Sequence, residues 1–128
     1  MTIITSKELA PPRGYSHGVL ASGRLLFIAG QIGWNASGQL VSDDFVEQFD
    51  QALANVMSVV REVGGTPESI ARLTVYVTDK AEYVAAQRSV GARYRVRMGK
   101  HYPAMTLVEV TALLEDGAKV EIEGTAVL

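Results

Sequence analysis

A carboxylate set among apolar side chains is the grouping in this chain best suited to chemistry near neutral pH. Glu121 lies in Lys119-Val120-Glu121-Ile122-Glu123-Gly124, and Met105 and Leu107 lie in Tyr102-Pro103-Ala104-Met105-Thr106-Leu107-Val108-Glu109-Val110. Both runs are rich in β-branched residues and read as strands, on which side chains alternate between faces. The turn Leu114-Glu115-Asp116-Gly117 reads as their hairpin connection, because Gly tolerates the positive φ that tight turns demand. So paired, Val108, Val110, Val120 and Ile122 form an apolar face that needs a helical cover. Met105, Leu107, Glu109, Glu121 and Glu123 share the other face. Burial beside apolar groups raises a carboxyl's pKa and fits it for general acid or base work. The competing reading of Glu121 is a strand carboxylate paired with an Arg or Lys of a neighbouring subunit, and Glu109 and Glu123 are read as structural.

Other residues could join such a site. Gly30-Gln31-Ile32-Gly33 lets backbone pass close to a ligand or a second chain, since little side chain stands in the way. Trp34 follows directly, either as a lid aromatic or as cover for a sheet edge. Tyr15, in an irregular Pro- and Gly-containing segment, either packs or offers its hydroxyl to a ligand. His101, two residues before Pro103, is a candidate proton carrier. His17 and His101 are the only histidines, and neither has a companion at metal-ligand spacing, so no catalytic metal is expected.

Composition narrows the field. The 128 residues contain no cysteine, which excludes disulfides, thiolate metal sites and thiol catalysis. Net charge is -2, and the densest basic stretch, Arg88 to Lys100, is diluted along a helix, so nucleic acid is not the expected partner. No apolar run reaches the roughly 18 residues needed to span a bilayer, and the N-terminal residues do not resemble a signal peptide. No membrane association and a cytoplasmic location are therefore expected.

The elements that must position these groups follow from periodicity. Ile3 and Ile4 open an edge strand, and His17 to Ala21 turns through Ser22-Gly23 into Arg24-Leu25-Leu26-Phe27-Ile28-Ala29 as a further hairpin. Asp44 with Glu47 resembles a capping box, and Phe45, Phe49, Leu53, Val56 and Val60 recur at helical spacing up to Gly64-Gly65. Thr66-Pro67-Glu68 starts a short helical turn, and Leu73-Thr74-Val75-Tyr76-Val77 alternates as a strand. Asp79 with Glu82 repeats the capping signal before the stripe Tyr83, Ala86, Val90, Tyr94 and Met98 of a second helix, in which Gly91 costs roughly 1 kcal/mol relative to Ala. The order predicts a single α+β domain over residues 1–128, one mixed sheet with two helices on one face. The other face, carrying Met105, Leu107, Leu25 and Phe27, is too apolar to stay in water. A closed homo-oligomer would cover it and bring Glu121 to a subunit boundary.

Across nearly its whole length the chain resembles the RidA family, also called YjgF or L-PSP. The matching pieces are Gly14-Tyr15-Ser16, Gly23 to Ile32, Gln51-Ala52-Leu53-Ala54-Asn55-Val56, Leu73 to Asp79, Tyr102-Pro103-Ala104, Val108-Glu109-Val110 and Val120-Glu121-Ile122-Glu123. The resemblance implies a chorismate-mutase-like α/β fold, a homotrimer, and clefts between subunits that hydrolyse enamines and imines to carbonyl compounds and ammonia without a cofactor. It makes Glu121 the acid that positions or activates water, Tyr15 a cleft tyrosine and Gly30 part of the cleft backbone. It also marks departures. Deaminating members place after Pro-Ala an Arg that clamps the substrate carboxylate, and here that residue is Met105, which offers no donor. The family's Ser before Gly-Gln is Ala29, its frequent Cys two places after the Arg is Leu107, and an Asn of the second helix corresponds to Gln87.

The expected function is therefore a RidA-like hydrolase of the enamine or imine deaminase type. Its cleft, lined by Ala29, Met105 and Leu107 with Trp34 at the mouth, suits a less polar small molecule without the usual 2-imino carboxylate. The alternatives are a trimer that binds a small metabolite without turnover and, against the acidic balance of the chain, a ribonuclease or translation inhibitor.

Overall fold

The computed structural model describes residues 1–128. The elements are β1 (Thr2–Ile4), β2 (Gly18–Leu20), β3 (Leu25–Ile32), α1 (Phe45–Glu62), a 3-10 turn (Pro67–Ser69), β4 (Ile70–Val77), α2 (Lys80–Ala85), α3 (Gln87–Met98), β5 (Ala104–Glu109) and β6 (Val120–Val127). Both capping signals act as the sequence predicts: Asp44 accepts a hydrogen bond from the Glu47 amide, and Asp79 accepts from Ala81 and Glu82. The second helix is not continuous. It breaks at Ala86 into α2 and α3.

The main sheet runs β3-β6-β4-β5, with β6 antiparallel to both neighbours and β5 parallel to β4, and β1-β2 form a separate antiparallel ribbon. The helices cover one face, where Phe49, Leu53, Val56, Met57 and Val60 of α1 meet Leu73, Val75, Val120 and Ile122 of the sheet, all buried. This is the mixed sheet with helices on one face that the element order predicts.

Both expected hairpins are corrected by this topology. The turn at Asp116-Gly117 exists, with Gly117 at φ 85° and the Ala118 amide donating to Glu115. It does not pair β5 with β6, because β4 lies between them. The turn at Ser22-Gly23 likewise delivers β3 to β6 rather than to β2, and Arg24 and Leu128 exchange backbone hydrogen bonds of 2.7 and 2.9 Å. A turn motif specifies only a local reversal of the chain. Which strand receives it is decided by burial: β6, with Val120, Ile122 and Ala126 fully buried, gains more from a central place than β5, whose Thr106 and Val108 are exposed.

The face assignment changes with the pairing. The parallel register sets Met105 beside Leu73 and Leu107 beside Val75, so both point toward the helices and pack on the core. The antiparallel register sets Glu121 beside Tyr76 and Glu123 beside Thr74, on the uncovered face. Met105 and Leu107 therefore lie opposite Glu121, not next to it, and Val108 lies on the uncovered face, not under a helix. The uncovered face is apolar where β3 crosses it: Leu25 is 59% and Phe27 75% exposed. No helix is long and apolar enough to cross a membrane.

Candidate functional site

The groups singled out for chemistry fall into two clefts on opposite sides of the sheet. The first is a narrow crevice of about 90 Å³ lined by Gly30, Ile32, Trp34, Leu114, Glu115 and Glu121. Its geometry begins with a β-bulge between Ile28 and Gln31. The bulge brings Gly30 against the Glu121 side chain so closely that a Cβ there would stand 2.6 Å from Oε1. The carboxylate thus rests on bare backbone, which a residue with a side chain would not allow. A half-buried amide network fixes the segment that follows. Asn55 of α1 donates to the carbonyls of Ile32 at 3.1 Å and Trp34 at 2.9 Å, and Gln51 donates to Asn55.

Gln48, fully buried on the same helix, holds the approach to β6. Its amide nitrogen donates to the carbonyls of Ser42 and Gly117 at 2.9 and 3.0 Å, and its carbonyl accepts from the Lys119 amide at 2.9 Å. A buried amide left without these partners would be costly; the bonds to Gly117 and Lys119 fix the loop two residues before Glu121, and the bond to Ser42 fixes the segment ahead of α1. Gly33 packs on the Gln48 backbone, where a Cβ would meet its Cα at 2.6 Å. Gln48 escaped the sequence reading because nothing in its neighbours marks a polar residue on the buried stripe of a helix.

The second cleft, about 320 Å³, opens between β5 and α3. Met105 and Leu107 form its floor, with Tyr83, Gln87, Tyr94 and Tyr102 around them. Tyr94 and Tyr102 stack at 5.3 Å with an interplanar angle of 12°, and burial pushes the Tyr94 phenol well above its ordinary range. Its hydroxyl donates to the His101 carbonyl at 2.7 Å. Tyr15 reaches the outer part of the same cleft beside Tyr83, Met105 and Leu107. It is carried there by its neighbour: Ser16 bridges to Ala104, its amide donates to the Pro103 carbonyl at 3.0 Å, and its hydroxyl donates to the Tyr102 carbonyl.

The structure therefore brings Tyr15, Gln87, Met105 and Leu107 together, and separately brings Gly30, Trp34 and Glu121 together. Two of the candidates join neither group. Ala29 sits exposed in the bulge, its carbonyl accepting from the Gln31 side chain. His101 turns away from the cleft to place Nε2 2.7 Å from the Ile70 carbonyl, an interaction that ties the entry of β5 to β4. His17 is also structural, bonded to the Ser6 amide and the Ala10 carbonyl. The roles read for the flanking acids stand: Glu123 accepts from the Tyr76 hydroxyl at 2.7 Å, which raises the pKa of that phenol, and Glu109 accepts from the Lys80 amide at the start of α2. No three His, Asp or Glu side chains converge closely enough to hold a metal ion.

Fold and site together define a small α+β chain with one sheet face open and its chemistry-bearing groups divided between two clefts. The chain belongs to the RidA/YjgF/L-PSP family, and residues 5–128 match the family described as Endoribonuclease L-PSP. It is 35% identical to the 2-iminobutanoate/2-iminopropanoate deaminase of Capra hircus over 98% of this chain and 88% of that one. It is 34% identical to a RutC family protein of Pyrococcus horikoshii over 97% and 94% of the two chains. Among solved structures, the Rid-family protein YyfB of Yersinia pestis superimposes with a TM-score of 0.85 at 38% identity, covering 99% of this chain and 98% of that one. RidA of an Antarctic Psychrobacter gives 0.70 at 26% identity, covering 100% and 99%.

Proposed function

We propose that this chain is a deaminase-like hydrolase of imines or enamines that works as a closed homo-oligomer, a trimer by the family resemblance, in the cytoplasm. The observation that carries the reading is the Glu121 carboxylate, half-buried in a crevice with Ile32 and Trp34 and seated on the bare Gly30 backbone. Relatives at about one-third identity carry the name deaminase, which supports the class of reaction.

In one chain the Glu121 crevice and the Met105 cleft lie on opposite sides of the sheet. A site that uses both needs a second copy, whose cleft would face this crevice. The exposed Leu25 and Phe27 on the Glu121 side of the sheet favour such an association, because apolar surface leaves water when the faces meet.

The chemistry asked of Glu121 is modest. Its carboxylate accepts a proton from water as the water oxygen attacks the carbon of C=N, and the nitrogen takes up a proton. The resulting carbinolamine expels ammonia, and loss of the hydroxyl proton leaves the carbonyl. The sum is imine plus water giving carbonyl plus ammonia. Met105 supplies no donor for a carboxylate beside the reacting carbon, so the substrate is one whose reacting end is apolar. The endoribonuclease description is not carried over. Net charge is -2, and Arg93 and Arg97 of α3 are committed to Asp50 rather than arrayed for phosphates.

Ammonia release from imines generated in solution, compared between the wild type and Glu121→Gln, tests this. Removal of a general base is expected to lower turnover by about 100-fold or more. Turnover that survives the substitution would overturn the role of Glu121. Ligand binding with no ammonia release by the wild type would mark a binding module instead.

A further inference from the structure

Gly91 stands in the middle of α3, where the sequence gives no reason for a residue that weakens a helix. In the structure it borders the Met105 cleft, and a Cβ built on it meets only the guanidinium of Arg95, at 3.5 Å. Helical side chains lean toward the N-terminus and over the turn before them, so Arg95 lies back across the space that Gly91 leaves open. The other arginines of this part of the helix are engaged elsewhere. Arg93 and Arg97, four apart and on one face, both hold Asp50, at 3.1 and 2.9 Å. Arg95, between them in sequence, lies on a different face.

A second cation reaches the same cleft. Arg13 lines it from the segment before Tyr15. Neither Arg13 nor Arg95 has an acidic partner, since the ion pairs of the chain are Asp50 with Arg93 and Arg97, and Glu82 with Lys119. No Asp or Glu lines the cleft at all. The arrangement is an apolar, aromatic floor beneath a rim carrying two uncompensated guanidinium groups, in a volume within the range of small-molecule sites.

We propose that this cleft binds an amphipathic carboxylate, its aromatic or branched apolar body against Met105, Leu107 and the Tyr94–Tyr102 stack and its carboxylate held at the rim by Arg13 and Arg95. The anchor is thus displaced from position 105 to the opposite end of the ligand. A guanidinium matches a carboxylate through paired N–H donors, while Met105 accepts the apolar end. This deepens the proposed function and rests on it for the reaction, but not for the binding: a substrate so held would present an apolar reacting end and carry its charge remote from the C=N carbon.

Calorimetric titration of the intact wild-type oligomer with 4-phenylbutanoate and with the uncharged 4-phenylbutanamide tests the proposal. The carboxylate is expected to bind about tenfold or more tightly than the amide, the gain expected of a charge-assisted contact. Arg13→Gln and Arg95→Met should each weaken carboxylate binding about tenfold and leave the amide unchanged, and Gly91→Leu should abolish binding of both by filling the cleft. Arg95→Lys, which keeps the charge but not the fork, serves as a second variant and should fall between. Equal binding of acid and amide, no binding of either, or arginine variants that bind the acid like the wild type would overturn the proposal. Ammonia release is read separately on Glu121→Gln, so failure of the anchor shows in the titrations of the arginine variants and failure of the catalytic reading shows in turnover.

Discussion

The Glu121 carboxylate lies directly on the backbone of Gly30, with Oε1 at 2.6 Å from where a Cβ on Gly30 would stand. The glycine is required by this approach and not by its own torsions, since its φ is not positive. Gly30→Ala is therefore expected to displace the end of a flexible side chain at small cost to stability, while moving the one carboxylate proposed to direct water. Turnover should fall by about tenfold or more, with a thermal midpoint close to that of the wild type, because a misplacement near 1 Å costs a catalytic group much of its effect. An unchanged rate with a shifted carboxylate would show that Glu121 is not positioned for chemistry.

Gly33 provides the contrast. A methyl there would meet the Cα of Gln48 at 2.6 Å and its carbonyl oxygen at 2.8 Å, and backbone cannot step aside as a side chain can. Gly33→Ala should lower stability by about 1–3 kcal/mol, the usual range for overpacking. Chemical denaturation of Gly30→Ala and Gly33→Ala together would show the difference, and equal stabilities would refute it.

Gln48 should be among the most sensitive polar positions in the chain. Gln48→Leu leaves the carbonyls of Ser42 and Gly117 and the amide of Lys119 without their partner, at a cost of about 1–3 kcal/mol for each group that stays buried and unpaired. Hydrogen exchange is expected to rise first in residues 111–119, the approach to Glu121. Protection there equal to the wild type would mean that the loop is held by other contacts.

Asp50 gives a pH signature. Hydrogen bonds and charge from Arg97, and secondarily Arg93, hold its carboxyl below the ordinary value of 3.8 despite partial burial. The folded chain then binds fewer protons at this group than the unfolded chain does, so the contribution is present in full above about pH 4 and is lost as pH falls through the depressed folded value. Both guanidinium groups are about two-fifths exposed, which screens the pair and keeps its worth to about 1 kcal/mol. Asp50→Asn should unfold earlier than the wild type at pH 7, and the gap should close as pH falls below the ordinary carboxylate range. A gap constant with pH would assign the loss to packing.

Phe27 tests the proposed assembly. A carboxylate placed at a side chain that is 75% exposed costs the isolated chain little, but it would be buried unpaired if the sheet face is covered by a second copy. Phe27→Glu is expected to reduce the wild-type oligomer to monomer in light scattering, and with it any activity that needs two clefts. A wild type that is already monomeric would remove the shared site.

Local chemistry in the sequence settles the elements of this protein. Asp44 and Asp79 start helices because their carboxylates satisfy amides that any helix leaves free, and the spacing of Phe45, Phe49, Leu53, Val56 and Val60 describes α1 without reference to the rest of the chain. The alternation of Val120, Glu121, Ile122 and Glu123 is equally local, so Glu121 could be placed opposite Val120 and Ile122 from sequence alone. Which strands adjoin is a different matter. Pairing joins residues far apart in the chain, and each turn fits several partners, so only the packed sheet decided that β4 separates β5 from β6. That decision put Met105 and Leu107 under the helices and Glu121 on the open face. The same long-range packing turned His101 toward Ile70 and brought Arg13 to the cleft of Arg95, two cations whose separation in sequence gives no hint that they share a rim.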